Sequence, residues 1–470
     1  MTRTRFAPSP TGLLHVGAAR TALFSWLIAK QNNGAFILRI EDTDKAREVE
    51  GSIDHIQESL RWLGISWDEG LDIGGEFAPY QQSKRLEIYQ EWAQKLIDAG
   101  RAYADPYSPE ELQAFRDQAK SEKKPFLYRN HRPKNPPKWD GSQPLRFRSE
   151  PKSYTWKDAV MGELSSGEEV IDDFIIIKSD GYPTYNFCHI VDDALMQITH
   201  VIRSQEFISS VPKFLNLYEA LEIKPPIMAT LPFVMGASGN KKLSKRDGAK
   251  DLLDYKREGY LPEALMNFLA TLGWNDGTEQ EVFSESELVE KFSLERVQHS
   301  GARFDEQRLL WLNGQWIRKI SLDELEKRSE SFWPNEAQNA NQEYKRDVLA
   351  LAQDRLKTLA DLPALTRYFF TEPEVDMSLV ENSKQLKKLS AERREELLNL
   401  AKEALAQTEF TPSAIQETLN TLLEQTGEKP GTLFSLIRIY TTWAQFSPQL
   451  NETLALLGKE KVIARLASTL

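Results

Sequence analysis

The chain has 470 residues, a formal net charge of −11, 40% hydrophobic and 27% charged residues, and a single cysteine. Those numbers describe a globular protein of two or three domains; they exclude a disordered chain, an intrachain disulfide and a cysteine-only zinc site. No apolar run reaches bilayer length, so no membrane association is expected, and the acidic balance argues against nonspecific nucleic-acid binding while leaving room for local basic surfaces. The opening Met1-Thr2-Arg3-Thr4-Arg5 runs straight into a strand-like stretch without an apolar signal region. A reducing cytoplasm is the expected setting.

In chain order, residues 3–7 predict a short strand. Pro8-Ser9-Pro10-Thr11-Gly12 cannot continue it, because two prolines and a glycine break regular structure. Val16, Ala19, Leu23 and Leu27 then share one face of a helix over 15–30, and residues 36–40 predict a second strand. A strand–helix–strand unit of this size implies a parallel sheet with a crossover helix. Strands at 174–177 and 198–202 extend the alternation, which is Rossmann-like. Between about residues 101 and 170 the pattern changes. Lys120, Lys123, Lys124, Arg129, Arg132, Lys134 and Lys138 face only Glu122 and Asp140, with Phe126, Tyr128 and Trp139 interleaved. Pro125, Pro133, Pro136 and Pro137 rule out a long helix there, so the segment is expected as an insertion in the sheet domain. Beyond about residue 320 the chain turns helical. Thr411-Pro412 predicts an N-cap and first turn, Ile415, Leu419, Leu422 and Leu423 a packed face, and Gly427 a stop. Leu397, Leu398, Ala401, Ala404 and Leu405 form a second such stripe, read as helix packing.

Two strings carry chemistry. In Pro8-Ser9-Pro10-Thr11-Gly12-Leu13-Leu14-His15-Val16-Gly17 a tight loop after a strand opens onto a helix, which places backbone N–H groups and a positive helix end beside a cleft. Gly17 has no side chain to obstruct a nucleotide, and His15 can donate to phosphate oxygens. Alone, His15 reads as a capping or core histidine. The second string, Gly239-Asn240-Lys241-Lys242-Leu243-Ser244-Lys245-Arg246, supplies cations suited to a polyphosphate; alone it reads as a solvated basic loop.

Together, in this order, the two strings resemble the HIGH-type and KMSKS-type signatures of class I aminoacyl-tRNA synthetases. Further strings narrow the resemblance to bacterial glutamate–tRNA ligases: Arg5-Phe6-Ala7-Pro8-Ser9-Pro10-Thr11-Gly12, Arg39-Ile40-Glu41-Asp42-Thr43-Asp44, Tyr80-Gln81-Gln82-Ser83-Lys84-Arg85, Ser179-Asp180-Gly181-Tyr182-Pro183-Thr184-Tyr185 and Thr199-His200-Val201-Ile202-Arg203. Phe304-Asp305, Trp311-Leu312-Asn313-Gly314 and the run 452–460 continue it to near the C-terminus. Ser9 and Thr11 stand where the glutamine enzymes typically carry Glu and Asn.

The resemblance implies an α/β Rossmann-like catalytic domain with an inserted acceptor-binding subdomain, followed by an all-α anticodon-binding region. The segments would be 1–100 and 171–250 for the catalytic halves, 101–170 for the insertion, 251–322 for a stem-contact helical domain and 323–470 for the anticodon domain. It implies ATP-dependent ligation of L-glutamate to tRNA(Glu) through a glutamyl-adenylate; a variant that also charges tRNA(Gln) stays open. His15, Lys242 and Lys245 would be catalytic, which points away from a bare tRNA-binding role. Arg5, Ala7, Ser9, Glu41, Tyr185, His189 and Arg203 would bind glutamate, an arginine fork being suited to a carboxylate. His15, Gly17, Glu206, Leu243 and Lys245 would bind ATP with Mg2+. Arg355 and Arg438 would read the anticodon, and the basic insertion would face the acceptor end. A monomer is expected.

The chain also departs from the family pattern. Leu243 and Arg246 replace Met and Ser of the KMSKS-type string, Ala18 stands where many members have Gly or Thr, Phe207 where some have Trp or His, and Trp443 where relatives have glycine. In the segment 103–108, which is similar to a zinc-binding stretch of some members, Asp105 and Tyr107 replace cysteines, so no zinc is expected.

Overall fold

The computed structural model describes residues 1–243 and 250–467. The chain divides into two compact units, Met1–Asp254 with Leu265–Asp305, and Tyr255–Ala264 with Glu306–Leu470. The strands of the first unit are β1 (Arg3–Phe6), β2 (Ala35–Leu38), β3 (Glu69–Gly70), β4 (Ala102–Ala104), β5 (Leu145–Phe147), β6 (Tyr154–Asp158), β7 (Gly162–Ser166), β8 (Phe174–Ile177), β9 (His200–Ser204), β10 (Ile227–Leu231), β11 (Val234–Met235) and β12 (Ala302–Arg303). Its first six helices are α1 (Val16–Gln31), α2 (Ser52–Trp62), α3 (Leu86–Asp98), α4 (Pro109–Ser121), α5 (Tyr185–Leu195) and α6 (Val211–Ala220).

Among the described residues seven strands form one sheet in the order β3-β2-β1-β9-β10-β6-β7. Every pairing is parallel except β6 with β7. The predicted strands at 3–7 and 36–40 are β1 and β2, with Arg5 opposite Ile37; the one predicted at 198–202 is β9, displaced by two residues. Both β1 and β2 are buried along their whole length, as a sheet covered on both faces requires. Successive side chains of β1 point to opposite faces. Thr4 donates to Ser25 O on α1 at 2.7 Å, whereas Arg3 and Arg5 reach Met196 O and Asp193 at and beyond the end of α5. Val16, Ala19, Leu23 and Leu27 are buried as predicted, but so are Ala22, Phe24, Trp26 and Ile28. Helix α1 is thus enclosed well beyond a single stripe.

The strand predicted at 174–177 exists but leaves the large sheet. β8 pairs antiparallel with β5 in a separate sheet, β4-β5-β8. A short apolar run such as Phe-Ile-Ile-Ile carries no mark of which sheet it will join. The stretch 101–170 is likewise shared: β4 and β5 lie in the small sheet, while the β6–β7 hairpin extends the large sheet beyond β10. Tyr89, Leu96, Phe147, Ile176, Phe187 and Phe214 form a buried core that ties the small sheet to α3, α5 and α6.

At the zinc-like stretch, Asp105 accepts from the Tyr128 hydroxyl and takes two hydrogen bonds from Arg146, at 3.0 and 2.7 Å. The same guanidinium lies 3.5 Å from the centre of the Tyr128 ring. Asp173 accepts from Tyr103 and from two nitrogens of Arg132, each at 2.7 Å. Arg129 donates to backbone carbonyls of Glu168 and Ile171. Two of the seven cations of the basic segment are therefore engaged within the fold, and Lys120, Lys123, Lys124, Lys134 and Lys138 are exposed.

The second unit is helical. Thr411 caps the helix Pro412–Thr426 by accepting from Ala414 N, and Gly427 ends it at φ 68°. Ile415, Leu419 and Leu422 pack with Leu397, Leu398, Ala401 and Leu405 of the helix Ala391–Gln407, and Leu423 and Ala404 border that core. No described helix is long and apolar enough to cross a membrane.

Candidate active site

After β1 the chain crosses by α1 to β2 on one side, and later returns to place β9 on the other side. The strand order reverses at β1, and in open parallel sheets the crevice at such a point receives ligands at the carboxyl ends of the strands. A cleft of about 500 Å³ lies there. Its wall includes Arg5 and Phe6 from the end of β1, Ala7 and Ser9 beyond it, Glu41 after β2, Arg203 and Ser204 from the end of β9, Glu206 and Phe207 after it, and Phe233 after β10. His15, Gly17 and Ala18 from the head of α1, Tyr185 from the head of α5, and Lys242 and Leu243 also line it. The two distant signature strings thus meet in one cavity with both arginines.

One end of the cleft is organised by buried charge. Arg5 Nε donates to Asp193 Oδ1 at 3.0 Å, and Arg39 Nη1 donates to the same oxygen at 2.8 Å. Arg39 also donates from Nη2 to Glu41 Oε1 at 2.8 Å. All four side chains are at most 5% exposed. Asp192 in turn accepts from Arg85, Gln82 and Tyr89, each at 2.8 Å. Asp42 gathers Ser83 N, Ser83 Oγ, Gln81 and Lys45. The quoted strings 39–44 and 80–85 are therefore two sides of one hydrogen-bonded frame. Burial raises the Asp193 carboxyl, but the Arg5 and Arg39 guanidiniums prevail and hold it well below the usual range. Burial lifts the Glu41 carboxyl above its usual 4.5, against the opposing pull of Arg39 and Arg5. Among the described residues Arg203 makes no ion pair; its guanidinium lies 5.1 and 5.4 Å from the Phe207 and Phe214 ring centres. Arg5, Arg39, Arg85 and Arg203 stand against Glu41, Asp192 and Asp193, so this group carries one excess positive charge.

The other end is built for an anion. α1 presents its N-terminus to the cleft, with His15 at the cap in extended conformation and no acidic residue in the first turn. A Cβ at Gly17 would touch the His15 ring, 3.4 Å from Cε1. Lys242 Nζ pairs with Glu206 Oε2 at 2.7 Å and lies 4.7 Å from the Phe233 ring centre. Both side chains of that pair are about half exposed, so it is a weak restraint that a polyphosphate can replace. Lys245 and the rest of 244–249 lie outside the described residues.

His189 is not in the cleft wall. It is buried behind Tyr185, stacked on that ring at 4.7 Å between centres. Burial and the nearby Arg203 push it well below 6.5, so it is neutral. Arg355 and Arg438 belong to the second unit. Arg355 is exposed, while Arg438 is half-buried, donates to Ser447 Oγ at 2.9 Å and lines a hollow with Asn382, Gln385, Gln445 and the exposed Phe446. Sequence reasoning assigned no role to Arg20, Arg39 or Asp193. Arg20 lines the cleft, donates to Leu272 O and Pro232 O, and is pushed down to about 10 by burial. The available signal was charge set among apolar residues: Arg20 inside the apolar run of α1, and Asp192-Asp193 directly after Phe187, Cys188, Ile190 and Val191.

Residues 1–311 match the family described as tRNA synthetases class I (E and Q), catalytic domain, and residues 321–470 match an anticodon binding domain family. A glutamate–tRNA ligase of Moorella thermoacetica is 41% identical, over 99% of this chain and 97% of the relative. One from Dehalococcoides mccartyi is 40% identical, over 99% and 96%. Among solved structures, a glutamate tRNA ligase from Elizabethkingia meningosepticum in complex with its amino acid superposes with a TM-score of 0.87 at 32% identity, covering 99% of this chain and 98% of that one. The glutamate–tRNA synthetase of Elizabethkingia anophelis gives 0.85 at 31% identity, covering 99% of each chain. The chain belongs to the class I tRNA synthetases, and within them to the glutamate–tRNA ligase family.

Proposed function

We propose that this chain attaches L-glutamate to tRNA(Glu) at the expense of ATP, by way of glutamyl-adenylate. The observation that carries the reading is one cleft whose wall brings together two guanidiniums, Arg5 and Arg203, one carboxylate, Glu41, a helix end and Lys242. Free glutamate has two carboxylates and one ammonium. Its net charge of −1 cancels the excess positive charge of the wall, whereas glutamine, with no net charge, would leave it uncompensated. In this reading Arg5 and Arg203 take the carboxylates, Glu41 takes the ammonium, and Ala7, Ser9 and Tyr185 shape the pocket around them. His189 supports the Tyr185 ring from behind.

ATP would lie with its phosphates at the head of α1, close to His15, Gly17 and Lys242, with Glu206, Leu243 and Lys245 completing the site. The α-carboxylate of glutamate attacks the α-phosphorus; a new O–P bond forms and pyrophosphate leaves. The nucleophile arrives ionised, so no protein base is needed for this step; the chain's task is to align the reactants and offset the charge that builds on the transferring phosphoryl group. Mg2+ would arrive bound to the phosphates. The terminal ribose hydroxyl of tRNA then attacks the acyl carbon and AMP departs. Arg355 and Arg438 are assigned to the anticodon, and the exposed lysines of 120–138 to the acceptor arm.

Charging of tRNA(Glu) and tRNA(Gln) transcripts with labelled glutamate tests the proposal. The expected result is ester formed on tRNA(Glu); none on tRNA(Glu) in the presence of Mg-ATP would overturn it. Label appearing on tRNA(Gln) as well would widen the assignment. Lys245→Ala is expected to depress pyrophosphate exchange by orders of magnitude while tRNA binding persists.

A further inference from the structure

His55, which no signature string contains, spans the gap between the two strings that line the cleft. It sits on the first turn of α2, with its side chain 13% exposed. Nδ1 accepts the Leu14 N–H at 3.3 Å. A backbone N–H can only donate, so Nδ1 bears no proton and Nε2 carries it. That Nε2–H faces Asp251 Oδ1, also at 3.3 Å. The Ser59 hydroxyl, one turn further along α2, lies 3.4 Å from Nδ1.

Both ends of this bridge are strategically placed. Leu14 immediately precedes His15, and Asp251 follows Arg246 by five residues. The two segments also touch directly. Leu252 N–H donates to Leu14 O at 2.9 Å, and His15 and Asp251 form an isolated antiparallel bridge. Asp251 Oδ1 receives Leu253 N and Asp254 N at 2.8 and 3.0 Å as well, which anchors it at the head of the helix Leu252–Arg257. On the opposite side α2 grips the first string again, where Ser52 Oγ donates to Gly12 O at 2.5 Å. The imidazole therefore joins stretches almost the length of a domain apart in sequence, one that belongs to the first string and one that follows the second. At 3.3 Å its two bonds are at the long end of the range, so they hold register without locking it.

We propose that His55 is a positioning residue for ATP: a neutral Nε2–H imidazole that keeps the loop bearing His15 in register with the chain leaving the second string. The inference rests on the reading of the cleft as a glutamate and ATP site. It makes His55 matter to the nucleotide end alone, because none of its partners belongs to the Arg5–Asp193–Arg39–Glu41 frame.

The test is steady-state charging, with KM measured separately for ATP and glutamate, on His55→Phe, His55→Asn and His55→Gln. Phe removes both arms. Asn retains an acceptor near the Nδ1 position, and Gln a donor near Nε2. Phe is expected to raise KM for ATP about tenfold with KM for glutamate within twofold of wild type. The two amides are expected to fall between, at about threefold, since each keeps one arm. If Phe does not fold, the amide pair decides. Wild-type KM for ATP in His55→Asn, or KM values for ATP and glutamate that rise together, would overturn the proposal. A loss of thermal stability with unchanged kinetics would overturn it too. A wild-type enzyme unable to charge tRNA(Glu) would instead refute the reading of the cleft.

Discussion

At the scale of single residues, the charge pattern of the cleft turns on Asp193. One carboxylate oxygen serves Arg5 and Arg39 at once, and Arg39 passes the constraint on to Glu41. Removing one partner from a buried ion pair costs on the order of 3–5 kcal/mol, because the remaining charge is stranded. Asp193→Asn is therefore expected to raise KM for glutamate at least tenfold, with a measurable fall in melting temperature, while KM for ATP stays within about twofold, as initial-rate kinetics will show. A change shared equally by the two substrates would contradict this division of the cleft. Glu41 makes a pH prediction. Its carboxyl is raised above 4.5 by burial, and in the proposed role it must be ionised to hold an ammonium. As pH falls through that raised value the carboxylate gains a proton, so glutamate affinity should drop at a higher pH than an ordinary carboxyl would set. KM for glutamate measured between about pH 5 and pH 8 should show this acid limb, and Glu41→Gln, weaker throughout, should lack it.

At the scale of elements, the helix Pro430–Thr442 ends on Trp443 at φ 44° and ψ 41°, the left-handed conformation that glycine adopts without strain. Trp443 N–H donates to Ile439 O at 2.7 Å, and its ring packs at 5.0 Å from that of Tyr440. The tryptophan thus carries backbone strain in return for a ring contact. Replacing it by glycine or alanine loses the same contact, but only glycine releases the strain. Trp443→Gly should be more stable than Trp443→Ala by about 1 kcal/mol, the reverse of the usual helix order. Urea denaturation of the two variants decides it. In the small sheet a single side chain plays a comparable local role: the Arg146 guanidinium draws Asp105 and Tyr128 together.

At the scale of the whole molecule, the chain enters the second unit early and then goes back. Residues 255–264 belong with 306–470, although 265–305 return to the first unit. Leu261 N–H donates to Asn313 Oδ1 at 2.8 Å, Leu359 N–H donates to Gly259 O at 2.9 Å, and Arg328 grips Glu263 at 2.7 and 2.8 Å. A chain ended after Asp305 would deprive this segment of all three partners and uncover Leu261 and Ala264, both buried. It is expected to melt lower than the full chain and to bind a hydrophobic dye. A cooperative melt at the full-length temperature, without dye binding, would show the interleaving to be inconsequential.

The sequence by itself determined the local grammar and the family: the break at 8–12, the crossover helix, the cap at Thr411 and the stop at Gly427, and it singled out several residues that line the cleft, Arg5, Ser9, His15, Glu41, Tyr185 and Arg203 among them. These are legible because propensity, periodicity and signature strings are properties of neighbours in the chain. Tertiary structure alone decided which sheet β8 joins, that β6 and β7 extend the large sheet, that Arg129 and Arg132 are engaged internally, and that His189 stands behind Tyr185. It also brought Arg39, Asp193 and His55 to their partners. Apart from the His189–Tyr185 stack, which joins successive turns of α5, each of those outcomes depends on contacts between residues far apart in sequence, and a short apolar run or a lone charge has the same local appearance whichever partner it finds.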